Sequence, residues 1–403
     1  MAHSWRQAHD IEAAVTHASD PGIAFDEELG AWIVDGHEEF LAVSRSTAFN
    51  IPKLTLPPEL LVNVGKVDID PVQEQSDYVL LYSVGADHRR RRRFLAGHFT
   101  RQAVDGRRES IRKTVRELLT EGQWAGRIDL TADITRPLLT RIMSDVVGIP
   151  PALRGEFDEW ARAVTNAGQL GVQGSPAEAL HRAAESVNAI TQLVRDLLGS
   201  PVDLPHGSIL SYAAGRSSNA ASLSVEELAA NVRSIYSSGI ETTEYLVAST
   251  AYMIFSSPSA LRDLRADPFR IEAVVRETLR FTCPAVEIPV RRANRDVRIF
   301  NSLIREGDWV RLVALKAERD SRRFSCPDEF DHRRTDQSMP LTYGLGPHRC
   351  LGQHLATAIA EEVGRTLADP EYGAHMDTPF PGFRRRAALP VIWGPEWIHL
   401  ALA

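Results

Sequence analysis

The stretch Tyr343-Gly344-Leu345-Gly346-Pro347-His348-Arg349-Cys350-Leu351-Gly352 decides how the rest of the chain is read. Two glycines and a proline preset a tight turn, and helical periodicity follows to Leu367, so Cys350 is expected at or just before the first turn of a helix. Unpaired backbone N–H groups and the positive helix end favour a thiolate there. A thiolate so presented is either a nucleophile or a metal ligand. His348 and Arg349 can meet acidic groups beside it, and Gly352 removes a side chain so that something flat can lie close. Two plainer readings stay open at this point. One is a buried core cysteine; the other is a zinc site using Cys350, His348 and His354, four residues on. Zinc would need a fourth ligand, and Cys283 and Cys326 offer no C-x-x-C partner.

Around this stretch the composition is that of a globular protein: 403 residues, 43% apolar and 25% charged, enough for a substantial core. Three cysteines spread over the last third suit a reducing cytoplasm better than a disulfide framework. Met1 to Asp20 lacks an apolar run and no stretch approaches about 18 apolar residues, so neither an export signal nor a membrane span is expected. The net charge is −7, yet of 46 basic residues only Lys53, Lys66, Lys113 and Lys316 are not arginine. The arginine fork suits carboxylates and phosphates. The run Arg89 to Arg93 suggests a solvated face or a nucleic-acid patch, but the acidic balance and the lack of a matching basic stripe argue against nucleic acid.

Periodicity places Ile23–Phe25 and Ala31–Val34 in a hairpin, with a short helix after His37. Pro52 to Tyr82 is irregular and long for a connector, which fits a binding loop. Helical patterns cover Ser110–Leu119, Leu130–Val147, Ala152–Ala167 and Pro176–Leu198. The longest begins at the capping box Ser224-Val225-Glu226-Glu227 and stops at Ser256-Ser257-Pro258, about 50 Å at 1.5 Å per residue. Gly239 in its middle costs about 1 kcal/mol against alanine and suggests a local distortion. Another helix starts at Asp267-Pro268 and reaches about Phe281, and short β pieces lie between Val290 and Val313. The class is mainly α with a small β region. Length alone allows two or three domains. No linker or repeat is visible, and the motifs below run from residue 88 to residue 350. One domain over 1–403 is expected, with a β-containing part to about residue 85 and a helical part from about 86.

The cysteine stretch resembles the ligand loop of the cytochrome P450 family, Phe-Gly-x-Gly-x-His-x-Cys-x-Gly, with Tyr343 in the phenylalanine position. The resemblance implies a triangular helical prism with haem (iron protoporphyrin IX) between a long central helix and the cysteine-loop helix. Cys350 would be the axial thiolate, His348 would meet a haem propionate, and Tyr343 and Gly344 would border the group. A Tyr343 hydroxyl beside the sulfur would shift the reduction potential. Glu277 and Arg280 share a helix face; alone they would be a surface ion pair, but they resemble the family's Glu-x-x-Arg motif, with Arg334 as third member of a structural triad. His88 and Arg92 resemble its His-x-x-x-Arg propionate pair, and Arg291 a further propionate arginine. Gly85-Ala86 replace the usual proline before the acidic residue, and the Arg280 to Arg291 spacing is one residue longer than common. The remaining arginines of the run would form a basic face for an acidic electron donor.

Ser238-Gly239-Ile240-Glu241-Thr242-Thr243 resembles the family's oxygen-activating helix signature, in which Thr242 donates and Glu241 relays protons through a helix widened at Gly239. Read alone, it is a threonine bonded back to its own helix beside an exposed glutamate. Asn231, Ser234 and Ser238, flanked by Ser237, form a polar stripe one helical step apart. It suits a substrate with amide or hydroxyl groups, or equally it solvates the helix start. Val286, Glu287 and Ile288, with the Pro52 to Tyr82 loop, fall in family-like substrate-contact regions, Glu287 being suited to a substrate amine. The whole implies a soluble, cytoplasmic, monomeric, bacterial-type monooxygenase acting on a small specialised metabolite. No flavin or nicotinamide fingerprint occurs, so ferredoxin and ferredoxin reductase would supply electrons. Oxidative C–C or C–N coupling on the same haem, or a non-catalytic haem sensor, are the alternatives.

Overall fold

Gly30, at φ +58°, turns the chain between β1 (Ile23–Asp26) and β2 (Ala31–Val34), an antiparallel hairpin with Ile23 opposite Val34. The computed structural model describes residues 21–53, 70–167, 176–200, 204–215, 222–336, 339–377, 383–386, 389–395 and 397–402. After the hairpin come the helix His37–Arg45 and β3 (Phe49–Asn50). β2 runs parallel to β5 (Trp309–Leu312), which pairs with β4 (Ile288–Ala293), itself paired with β3. One five-stranded sheet thus joins residues from the start of the chain to residues near 300.

The helical part is built around a single long element. Ser224 accepts from Glu227 N–H at 3.1 Å and donates its own N–H to Glu227 Oε2 at 3.0 Å, so the capping box is complete. The helices that matter for the site are α1 (Gly85–Ala96), α2 (Arg136–Val147), α3 (Val225–Ser256), α4 (Ile271–Thr282) and α5 (Gln353–Ala368). α3 has 32 residues, about 48 Å of axis, and α2, α4 and α5 all pack against it. Ser257 caps the following helix, in which Pro258 takes the first turn, and so ends α3 where the sequence indicated.

Two expectations change. α3 runs without interruption through Gly239, and a Cβ there would lie 2.4 Å from Met143 Cε and 2.7 Å from its sulfur. The glycine serves the close approach of α2, not a widened turn. The π-type turn occurs elsewhere: Leu130–Thr135, entered through an Asp129 side chain that accepts from Thr131 N–H, precedes α2 and splits what reads as one helix over 130–147. Of the Pro52 to Tyr82 loop, residues 54–69 lie outside the described residues, while Asp70–Tyr78 is a helix and Leu80–Tyr82 a 3₁₀ turn. Strands between residues 375 and 401, one of which pairs with Arg127–Asp129, carry no periodicity strong enough to announce them. An apolar cluster extends from Val34 to Leu402 through all five numbered helices. Among the described residues no helix is long and apolar enough to cross a membrane.

Candidate active site

The cysteine stretch is held by backbone geometry that only its own residues satisfy. Gly344 sits at φ +61°, ψ −178°, a region open essentially to glycine alone. Gly346 has φ +72°, and a Cβ there would lie 2.6 Å from the Ser44 carbonyl oxygen of the first helix. The loop closes when Cys350 N–H donates to the Tyr343 carbonyl at 2.8 Å. Cys350 lies three residues before α5, and the N–H groups of Gly352 and Gln353 point to its sulfur. Burial pushes the thiol pKa up; those two amides, Arg92 and Arg349 pull the other way. Although deep in the molecule, Cys350 is exposed because it faces a cavity.

That cavity, about 280 Å³, runs from Cys350 to the face of α3 carrying Ser234, Ser238, Gly239 and Thr242, and is mostly apolar. At one side stand His88 and Arg92 of α1 and His348 of the loop, the two imidazoles 4.5 Å apart. Arg291 is close enough to act on His348 electrostatically. None of the four is ion-paired with a carboxylate among the described residues. Arg92 donates to the Arg349 carbonyl at 2.9 Å and Arg291 to the Pro289 carbonyl at 2.8 Å, while buried His88 Nε2 has no partner. Burial, reinforced by His88, Arg291 and Arg92, lowers the His348 pKa to about 4; burial alone lowers Arg291 to about 10. Buried cations without counter-charge are costly. This cluster is therefore built for an anion, and it fits a pair of carboxylates at the edge of a flat group seated over Cys350.

Thr242 lines the cavity while donating to the Ser238 carbonyl at 2.7 Å, so it is back-bonded and site-facing at once. Glu241 is buried, not exposed as the isolated reading has it, and lies outside the cavity lining. Asn231 reaches the cavity, but its amide donates to the Tyr78 and Glu227 carbonyls (2.8 and 2.7 Å) and accepts from Leu80 N–H (2.9 Å). It fastens residues 78–80 to α3. Ser234 and Ser238 face the cavity; Ser237 does not, and its buried hydroxyl has no partner among the described residues. Val286, Glu287 and Ile288 also fall outside the lining. Both oxygens of Glu287 accept from Arg311, at 2.6 and 3.0 Å, so its charge is already paired away from the cavity. Pro284 and Ala285 form that wall in their place, with Val79, Leu80 and Leu81 on another side. The apolar run Val79-Leu80-Leu81 ahead of the His88 helix was the available signal for the latter.

Glu277 (1% exposed), Arg280 and Arg334 form the triad. Arg280 Nε and Nη2 grip Glu277 at 2.9 and 2.8 Å, and Arg334 Nε reaches it at 3.0 Å. The Tyr343 hydroxyl points to Thr357 Oγ1 of α5 at 2.9 Å, tying loop to helix instead of bonding the sulfur. Of the arginine run, Arg90 and Arg91 both bind Glu227 at the start of α3, and only Arg89 and Arg93 are exposed. Among the described residues no group of three or more His, Cys, Asp or Glu could hold a metal ion, so the zinc alternative lacks a ligand set.

A sequence profile of the cytochrome P450 family matches residues 270–361, the span holding Glu277, Arg280, Arg334 and Cys350. The chain belongs to the cytochrome P450 family. The epothilone C/D epoxidase of Sorangium cellulosum is 28% identical over 385 residues, covering 93% of this chain and 90% of that protein. The cytochrome P450 monooxygenase PikC of Streptomyces venezuelae is 28% identical over 379 residues, covering 90% and 85%. The crystal structure of epothilone D-bound cytochrome P450epoK superposes with a TM-score of 0.81 at 25% identity, over 100% of this chain and 96% of that one. This P450 is accordingly an oxidoreductase whose cofactor is haem bound through a cysteine thiolate.

Proposed function

We propose that this P450 is a monooxygenase that oxidises C–H bonds of a small, largely apolar specialised metabolite, with Cys350 as the residue whose thiolate would hold the haem. The observation that carries the reading is the placement of Cys350, its sulfur facing two backbone N–H groups on one side and the Thr242 face of α3 across the cavity. Haem bound there supplies dioxygen activation, the thiolate favouring O–O cleavage. The chain does the rest. His88, Arg92, Arg291 and His348 would hold the two propionates, whose charge would offset the guanidinium groups of Arg92 and Arg291. Gly352 leaves room beside the sulfur, and the triad of Glu277, Arg280 and Arg334 supports the loop from behind. Thr242 holds a hydroxyl proton at the cavity wall, and buried Glu241, one residue before it, is the relay toward the interior. Leu80, Leu81 and Ala285 keep water off, while Ser234 and Ser238 offer hydroxyls to a substrate oxygen or amide. The metabolite class is supported by the relatives named for epothilone chemistry. Ferredoxin and ferredoxin reductase are the proposed electron donors, and residues 1–403 the proposed single domain.

The reduced, CO-bound protein should show the thiolate-type Soret band, and Cys350→Ser should abolish it. A band that survives the substitution overturns the assignment. With labelled O2, one labelled atom is expected in the product; an unlabelled product identifies oxidative coupling instead.

A further inference from the structure

The five N–H donors of Arg280 go to Glu277, Glu318, Pro327 and Glu329, none of which belongs to the cysteine loop. Beside the direct packing of α4 on Leu341–Tyr343 and the Ala285 N–H bond to Thr342 Oγ1, a hydrogen-bonded route leads from Arg280 itself to the loop through Glu318. Glu318, at the end of the short helix Ala314–Ala317, accepts Arg280 Nη1 on its main-chain carbonyl at 2.9 Å. Its side-chain Oε1 accepts the N–H of Leu341, the first residue of the 3₁₀ turn Leu341–Tyr343 that opens into Gly344 and Cys350. Glu318 is fully buried, and its Oε2 has no hydrogen-bond partner among the described residues. We propose that Glu318 is a positioning residue for the haem-ligand loop, its buried carboxyl group carrying the order of the Arg280 hub into Leu341.

The surroundings explain how a carboxyl group survives there. Glu277, Arg280 and Cys283 face it from α4 and Arg323 from the segment after Ala317. His37 and Glu39 lie on the helix His37–Arg45, which also packs on Ala314–Ala317, and pair with Glu38 and Arg322. Asp320 is likewise held by Arg322. Arg280 is committed to Glu277, and burial outweighs the opposing charges of Arg280 and Arg323, pushing the Glu318 pKa up to about 8. The shift favours the neutral carboxylic acid, one oxygen of which still accepts from Leu341. Glutamine has the same shape and the same acceptor.

Hydrogen exchange read by mass spectrometry on the haem-loaded protein tests this, with Glu318→Gln and Glu318→Leu as variants. Glu318→Gln should keep wild-type protection over 341–350. Glu318→Leu should speed exchange there about tenfold, the loss of one buried hydrogen bond, while 271–282 is unchanged, and should lower the thiolate-type fraction of the CO spectrum. Above pH about 8 the wild-type loop should lose protection beyond the intrinsic rate, and Glu318→Gln should not. Wild-type protection in Glu318→Leu overturns the proposal. Should that variant not fold, the pH profile decides, and a Glu318→Gln profile matching wild type overturns it. The inference rests on the Cys350 reading only for its spectral arm: a thiolate band persisting in Cys350→Ser would remove that reading and leave the exchange result standing.

Discussion

Arg280 offers the most quantitative test of how the triad works. Every guanidinium N–H has an acceptor: Nε to Glu277 at 2.9 Å, Nη1 to the Glu318 and Pro327 carbonyls at 2.9 and 2.8 Å, and Nη2 to Glu277 and the Glu329 carbonyl at 2.8 and 3.0 Å. Arg280→Lys keeps the charge beside Glu277 but supplies three donors from one point in place of five from a planar fork. At least two acceptors then lose their donor. A buried acceptor left unpaired costs about 1–3 kcal/mol, so the substitution should cost roughly 2–6 kcal/mol. That is a large part of the roughly 5–15 kcal/mol that a folded protein holds. Equilibrium urea denaturation, followed by the visible haem band and by far-ultraviolet circular dichroism, measures the change. Arg280 acts as a hub only if charge alone does not replace it. A lysine variant within about 0.5 kcal/mol of wild type would refute the reasoning, because it would mean that the three carbonyls are satisfied without the fork.

Gly346→Ala should destabilise by about 2–5 kcal/mol, combining positive-φ strain with a Cβ 2.6 Å from the Ser44 oxygen, and a wild-type midpoint in urea would contradict it. His348 is depressed to about 4, so the folded haem-free protein binds fewer protons there than the unfolded chain between pH 6.5 and 4. Its melting temperature should fall as pH drops through that window, and His348→Gln should flatten the slope; an unchanged slope would exclude the cation cluster as its source. Glu227 is shifted in the same direction for a different reason: against the cost of its burial, hydrogen bonds from Arg90, Ser224 and Arg91 hold it down at about 2. Its contribution, about 3 kcal/mol at most, is present above pH 4.5 and lost as pH falls toward 2, so Glu227→Gln should be less stable at pH 7 and comparable to wild type near pH 2.

What the sequence disclosed and what it concealed divide along a physical line. The Ser224 box, the Pro258 stop and the glycines at 344 and 346 are local, since their partners lie within a few residues or their backbone angles are their own. Cys350 and the Glu277–Arg280 pair were legible because motif spacing encodes which helix face or turn they occupy. Gly239 was misread because its reason, Met143, stands nearly one hundred residues earlier on another helix. Glu287 was assigned to substrate because nothing nearby in sequence announces Arg311 across the β4–β5 pair. Asn231 sat on the expected face, but its amide was already committed to Tyr78 and Leu80. Glu318 left no sequence trace, being polar in a polar stretch, and its meaning comes entirely from burial and from Leu341.

The arginine run has a consequence for anything that approaches α1 from solvent. Five adjacent positive charges would project a field reaching well beyond the surface, but Arg90 and Arg91 are matched by the two carboxylates of Asp87 and Glu227, and Arg92 is turned inward. What remains is Arg89 and Arg93, one helical turn apart and exposed. With a screening length of about 8 Å at physiological salt, a pair of that size acts only at near-contact range. An acidic surface approaching this helix would feel these two charges only near contact, where its own carboxylates would have to match the spacing of the two guanidinium groups.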